Sequence, residues 1–218
     1  MEAMGLPVLV SEPRELADIP KSIREMGSLL DCPGRAEALT AYVDRFLNLL
    51  DRRLKGLQQD ERPRVFMGRG HQIYYPSFSK GQRCVVEWAG GRNIANQLHS
   101  RIHPLTPEWL VEQKPDFLVL TPNRRMWGFR VPSKKEMQYC WDEVFHRPGV
   151  SILHPSQQDR VQLMDARLGW GLRSFIGALY LAKKFHPNLF SDIDPAEVHR
   201  DFLQRFFKLE LQGAYVYP

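Results

Sequence analysis

Three stretches of this 218-residue chain combine residue types that can grip a ligand. In "LGWGLRSF", Gly169, Trp170, Gly171 and Arg173 stand where a loop runs into an apolar helix. Glycines let the backbone pass close to a bound molecule, and the positive end of a helix favours anionic oxygens. The Arg173 fork suits a carboxylate or an acidic chelate, and the Trp170 indole offers a flat apolar wall for a macrocycle or a catecholate ring. In "GRGHQIYYP", Arg69 and His71 precede Tyr74 and Tyr75. The two phenols can stack on a ligand or, ionised, bind ferric iron, and His71 has the donor an axial haem ligand needs. In "NRRMW", Arg124 and Arg125 pair two cations beside Trp127, which fits an anionic chelate. Plainer accounts stand beside each: turn-forming glycines with Arg173 on a surface carboxylate, packed tyrosines beside a solvated His71, and an ordinary basic surface at 124–125.

Other chemistry is less well supplied. His99 and His103 have the four-residue spacing that places two rings on one helix face, but Pro104 ends any helix there and no acidic third ligand follows. No metal site is expected from them. There is no G-x-S-x-G, no phosphate-binding Walker loop, no G-x-G-x-x-G after a strand and no Cys–His signature, so no catalytic residue is assigned. Cys32, Cys84 and Cys140 are widely spaced and odd in number, which argues for isolated thiols over a disulfide framework. The net charge of +5 is spread along the chain without a basic block, so a nucleic-acid partner is not expected. No apolar run approaches the roughly 20 residues that span a bilayer, and Met1 is followed by an acid and a short strand-like run instead of a basic and then an apolar region, so no signal peptide is expected among these residues.

The elements that must position these residues alternate. "GLPVLVSEP" (5–13) predicts a short buried strand without a preceding neighbour, and 14–30 has helical spacing. "RAEALTAYVDRFLNLLDRRLKGL" repeats apolar residues every three or four positions and predicts a helix of about six turns, about 35 Å long. Beyond it come a strand at "RVFMG", an aromatic and glycine-rich loop over 69–82, a helix broken at Gly90–Gly91 with a second helix after Asn93, and a short helix capped by Thr106 with Pro107 at its first position. A buried strand at "KPDFLVLTP", a helix over about 133–146, a strand at "GVSILHP" and helices near 173–186 and 195–207 complete the pattern. Strands alternating with helices predict an α/β fold: a three-layer lobe with a mostly parallel central sheet flanked by helices, its strand ends forming the ligand-facing edge.

The order of "AGGRNIA", "LTPEWLVEQKPDFLVL" and "GLRSFIGALYLAKKFHPNLF" resembles the C-terminal half of the periplasmic substrate-binding proteins of iron-chelate (siderophore or haem) and cobalamin ABC transporters. The resemblance implies a chain divided into a remnant of an N-terminal lobe with a lead-in helix (1–31), a spine helix between lobes (32–58) and an α/β ligand-binding lobe (59–218). It implies a function of binding without chemistry, with the candidate ligand residues Arg69, His71, Tyr74, Tyr75, Arg124, Arg125, Trp127, Trp170 and Arg173 facing the cleft. It implies that Glu108, at the start of a short helix, docks onto arginines of a membrane permease, where residues alone give only a first-turn glutamate favourable to the helix dipole. The expected ligand is a ferric siderophore, haem or corrinoid, with no resident cofactor, and the expected location is periplasmic or extracytoplasmic. The strand without neighbours suggests a truncated chain, whose lobe alone would bind weakly. Two alternatives stay open: a chelatase or nitrogenase-like metal-tetrapyrrole enzyme using His71 or His154, told apart by metal analysis and turnover, and a self-associating module forming a homodimer through an uncovered apolar face, told apart by light scattering.

Overall fold

The computed structural model describes residues 13, 15–69, 72–76, 85–98, 104–121, 134–148, 150 and 159–217. Two helices form an opening hairpin, α1 (Ile19–Leu29) and α2 (Pro33–Leu54), each with a proline in its first turn. Next comes the α/β part of the chain, with β1 (Arg64–Arg69), β2 (Gln72–Pro76), α3 (Val85–Trp88), β3 (Arg92–Asn93), α4 (Pro107–Gln113), β4 (Phe117–Thr121), α5 (Lys134–Phe145) and β5 (Val161–Met164). Helices α6 (Ser174–Phe185) and α7 (Pro195–Phe207) and the edge strand β6 (Val216–Tyr217) complete it.

The six strands among the described residues form one sheet in the order β2-β1-β4-β5-β6, with β3 also pairing β1. The β1–β3, β1–β4 and β4–β5 pairings are parallel, while β2 and β6 close the two sides antiparallel. This is the expected mostly parallel α/β sheet with both faces covered. Alternation along the strands divides the core. Val65, Met67, Val119 and Met164 bury on the face covered by α2, α3, α6 and α7, whereas Phe66, Leu118, Leu120 and Leu163 bury against α4 and α5.

The long α2 packs its apolar stripe (Tyr42, Phe46, Leu50, Leu54) into the first of these layers. An aromatic cluster welds it to the C-terminal helices: Phe46 to Phe175 at 5.9 Å, Tyr42 to Phe206 at 5.3 Å and Phe175 to Phe202 at 5.4 Å between ring centroids. Polar ties hold the same join. Arg35 donates to the Phe206 carbonyl at 2.8 Å and the Tyr42 hydroxyl to the Val198 carbonyl at 3.1 Å. Arg53 forks onto Asp192 at 2.6 and 2.8 Å, and that hydrogen-bonded pairing lowers the Asp192 pKa to about 2.

The motifs that carry the sequence resemblance have structural work at the amino ends of the strands. Burial lowers the pKa of His186, the C-cap of α6, and its neutral ring donates from Nε2 to the Gly90 carbonyl at 3.2 Å, joining "FHP" to "AGG". Asp116 accepts from the Arg64 N–H and donates its own N–H to the Arg64 carbonyl, both at 2.7 Å, which sets β4 in register with β1.

Several expectations change. After Gly91, Arg92 and Asn93 pair with β1, and the Asn93 side chain accepts from the Ala95 N–H at 3.1 Å, so the chain then makes a single 3-10 turn (Ile94–Gln97) rather than a second α-helix. Within the expected aromatic loop, Gln72–Pro76 is a strand, consistent with the β-forming run Ile73-Tyr74-Tyr75. The strand that continues the parallel run beyond β4 is Val161–Met164, which the sequence pattern does not single out, and the strand at 216–217 is likewise unforeseen. The strands expected at 5–13 and 149–155 lie outside the described residues except for Pro13 and Val150, as do Cys84, His99, His103 and His154.

One close approach fixes the geometry of the chain after β5. A Cβ on Gly177, in the second turn of α6, would stand 2.0 Å from the Leu168 carbonyl oxygen. We expect Gly177→Ala to cost about 3 kcal/mol, at the upper end of the overpacking range, because the obstacle is backbone and cannot rotate away. Urea denaturation checks this; a loss below about 1 kcal/mol would mean the turn yields freely.

Candidate functional site

In a parallel sheet, ligand-facing loops lie beyond the carboxyl ends of the strands. Here that edge is formed by Arg69 on β1, Thr121 on β4, which pairs with it, and Met164 on β5. The Thr121 hydroxyl donates to the Gly68 carbonyl at 3.3 Å, fastening the first two strand ends together. Of the predicted ligand residues, Arg69, Tyr74 and Tyr75 are placed by backbone: Arg69 at this edge, the two tyrosines on the antiparallel strand β2 that returns from it. His71, Arg124, Arg125 and Trp127 lie outside the described residues.

Trp170 and Arg173 are described in full, in the turn that carries the chain from β5 to α6. Two 3-10 turns, Ala166–Leu168 and Gly171–Arg173, build it. Asp165 organises the first. Its carboxylate, 2% exposed, accepts from the Arg167 N–H, Nε and Nη2, each at 2.8 Å. The Asp165 N–H donates to the Tyr215 carbonyl at 2.7 Å, tying the turn to the C-terminal strand. This pairing raises the pKa of the Arg167 guanidinium, whose charge is therefore fixed. Gly171 takes φ +68, a backbone conformation costly for residues with a Cβ, and the Ser174 hydroxyl donates to its carbonyl at 2.7 Å.

Part of the turn's backbone is used internally. The N–H groups of Leu168 and Gly169 donate to the Asp165 and Ala166 carbonyls at 2.9 and 3.0 Å, and the Arg167 N–H is taken by Asp165. The turn also carries two guanidinium groups, those of Arg167 and Arg173. Both line one open hollow of about 400 Å³: Arg167 and Arg173 with Trp170 and Leu172 on the turn side, and Leu203, Phe207 and Leu209 on the side of α7. Trp170 and Phe207 keep 40% and 44% of their surface exposed, so the walls present aromatic area to solvent. The Arg173 guanidinium lies 5.8 Å from the Tyr215 ring centroid. Arg173 beside apolar and aromatic walls can meet a planar or catecholate-bearing anion, with contact area from the rings, while Arg167 gives its Nε and Nη2 to Asp165 and offers the hollow only the rest of its guanidinium edge.

Arg167 and the α7 side of the hollow are not among the sequence candidates. A signal for Arg167 exists in "MDARLG": a carboxylate two residues before an arginine can cap a turn and hold the guanidinium in one step. No comparable local signal marks Leu203, Phe207 or Leu209, which reach the hollow only by tertiary packing.

Glu108 is exposed in the first turn of α4, with Thr106 accepting from the Trp109 N–H at 3.2 Å as the N-cap. It stands in the layer on the opposite sheet face from α6. No group of three or more acidic, histidine or cysteine side chains able to hold a metal occurs among the described residues. No described helix is long and apolar enough to cross a membrane.

A family model described as "Periplasmic binding protein" matches residues 2–168, including Asp165 and Arg167 and ending just before Trp170 and Arg173. No protein of curated function matches. Among solved structures, the fold is similar to a TroA-like periplasmic binding protein, FepB, from Veillonella parvula (22% identity, TM-score 0.78, 93% of this chain and 61% of that one). It is also similar to the molybdate periplasmic binding protein MolA of Haemophilus influenzae (18% identity, TM-score 0.70, 91% and 58%) and to a periplasmic haem-binding protein from Pseudomonas aeruginosa (22% identity, TM-score 0.63, 86% and 66%). The chain thus spans less than two thirds of the length of each.

Asp165→Ala removes the acceptor that organises this turn and should cost about 1–2 kcal/mol, as loss of a good cap does. Asp165→Asn, which keeps one oxygen acceptor for the Arg167 N–H, should cost less. Chemical denaturation of the three proteins checks the order; equal stabilities would show that the turn holds without the carboxylate.

Proposed function

The chain belongs to the periplasmic binding protein family, whose model spans residues 2–168, and on that premise we propose that it is a substrate-binding component of an ABC importer for an anionic metal chelate. It binds and releases and carries out no chemistry. The observation that carries the reading is the hollow in which Arg167 and Arg173 converge with Trp170 and Phe207 beside the carboxyl edge of the sheet. The names of the matched structures, which include haem and molybdate binding proteins, support a metal-containing anion as cargo. A ferric siderophore, haem or corrinoid is the proposed cargo, since the aromatic walls give a ring-bearing chelate contact area that a bare oxyanion would leave unused.

In this proposal the lobe from 59 onward forms one wall of a two-walled cleft, with α2 as the rigid element along its flank. The protein acts outside the cytoplasmic membrane and delivers its cargo to a membrane permease. Glu108 is the proposed contact for that partner, supported by its exposure and by its distance in the fold from the hollow, on the other layer of the lobe. Glu108→Arg should leave binding intact and lower delivery to the reconstituted transporter at least tenfold; unchanged delivery would remove Glu108 from the docking surface.

A single wall buries only part of a ligand, so affinity for the chain alone should be modest. We expect haem, titrated against tryptophan fluorescence, to bind saturably in the micromolar range or weaker. The double change Arg167→Ala with Arg173→Ala should weaken it about tenfold or more. Absence of saturable binding to haem and to a ferric catecholate, or affinity unaffected by the double change, would contradict the proposal.

A further inference from the structure

Behind the hollow lies a polar residue that the binding reading does not use. His199, in the second turn of α7, is 0% exposed, and neither ring nitrogen has a hydrogen-bond partner among the described residues. Its ring is boxed by aromatic edges, with Tyr215 at 4.5 Å and Tyr180 of α6 at 6.5 Å between centroids. Tyr215 is also the ring over which the Arg173 guanidinium lies, so one side chain joins the buried imidazole to a wall of the hollow. A second link runs along α7. Leu203 and Phe207, four and eight residues beyond His199, share its face of the helix and line the hollow.

The charged surroundings are one-sided. From the turn, Arg173 opposes a proton on His199 while Asp165 favours one, and Asp165 is already paired with Arg167. From α6 comes Tyr180, held neutral by burial with Asp194 and Arg200 in its surroundings, and Tyr215 is likewise held neutral by burial. Helix α2 meets this part of α7 through Tyr42, near Asp201, Arg45 and Arg205. Burial first, and Arg173 second, lower the His199 pKa to about 4. The unfolded chain therefore takes up the proton before the folded one does. The stability tied to a neutral His199 is complete above about pH 6.5, is lost as pH falls toward 4, and changes no further below that.

We propose that His199 is a proton-operated latch on the ligand hollow: neutral, it lets α7 seat against Tyr215 and Arg173, and protonated, it drives α7 and Arg173 apart and opens the hollow. A charged imidazole in this box has no hydrogen-bond acceptor among the described residues and a cation on the far side of Tyr215, so relief requires movement of α7, which carries Leu203 and Phe207 away from the cargo. The consequence for cargo, release in acid, rests on the reading of the hollow as the ligand site; the latch itself does not.

The test tracks His199 Cε1–H, the Trp170 indole N–H and the Arg173 Nε–H by NMR from pH 7.5 to 3.5, with circular dichroism marking the folded range. The latch predicts a His199 midpoint near pH 4, the other two signals moving with that midpoint, and loss of their step in both His199→Phe and His199→Gln. A His199 midpoint near 6.5, or steps at Trp170 and Arg173 that persist in both variants, would overturn it. If acid unfolding comes first, its midpoint should move to lower pH in the variants, and an unchanged midpoint would overturn the latch equally. No cargo enters this measurement, so its failure removes the latch and leaves the haem titration to decide the binding reading on its own.

Discussion

The geometry of the hollow depends on how closely a turn can approach a helix. The Leu168 carbonyl stands where a side chain on Gly177 would be, which brings the Asp165–Arg173 turn onto the first turns of α6. With the turn seated there, Asp165 is buried, and a buried carboxylate must be hydrogen-bonded. Arg167 satisfies it and thereby acquires a fixed direction. Arg173, at the junction with α6, is placed by the same seating and comes to rest against Tyr215. A small backbone tolerance is thus converted into the position of two cations.

The C-terminal elements finish what the sheet begins. Helix α7 is held to α2 by the aromatic cluster around Tyr42 and Phe202 and by carbonyl contacts from Arg35 and Tyr42. Its own inner face then supplies the apolar side of the hollow. The division of labour is spatial. Polar ties such as Asp116 to Arg64 and His186 to Gly90 sit at the amino ends of the strands, and the proposed ligand groups sit at the carboxyl ends. Motifs that resemble a binding-protein family are in large part these structural contacts, which is why they identify the fold while saying little about any ligand.

How far the sequence disclosed this depends on the range of the interactions. The periodicity of α2, the Thr106 cap with Pro107 and the extents of α6 and α7 are local properties, and each emerged close to its expected bounds. Strand β5 is only four residues long and has Gln162 inside it, so no apolar run of ordinary strand length marked it. Gly171 and Arg173 were legible because a left-handed turn and a helix start leave a mark in composition. The N–H groups of Leu168 and Gly169 are used on carbonyls within the turn, a local arrangement that the glycine pattern does not spell out. The wall from Leu203, Phe207 and Leu209 was illegible, since an apolar helix face has the same sequence whether it meets core or cargo.

The most direct test of the account is to locate a ligand on the folded chain. Adding a ferric catecholate chelate to the ¹⁵N-labelled protein broadens amides near the iron, and its gallium analogue supplies the diamagnetic reference. The account predicts broadening centred on residues 165–173 and 203–209, at the carboxyl edge of the sheet. Broadening centred instead on the opposite edge, around Gly90 and His186, or uniform broadening without a centre, would contradict it.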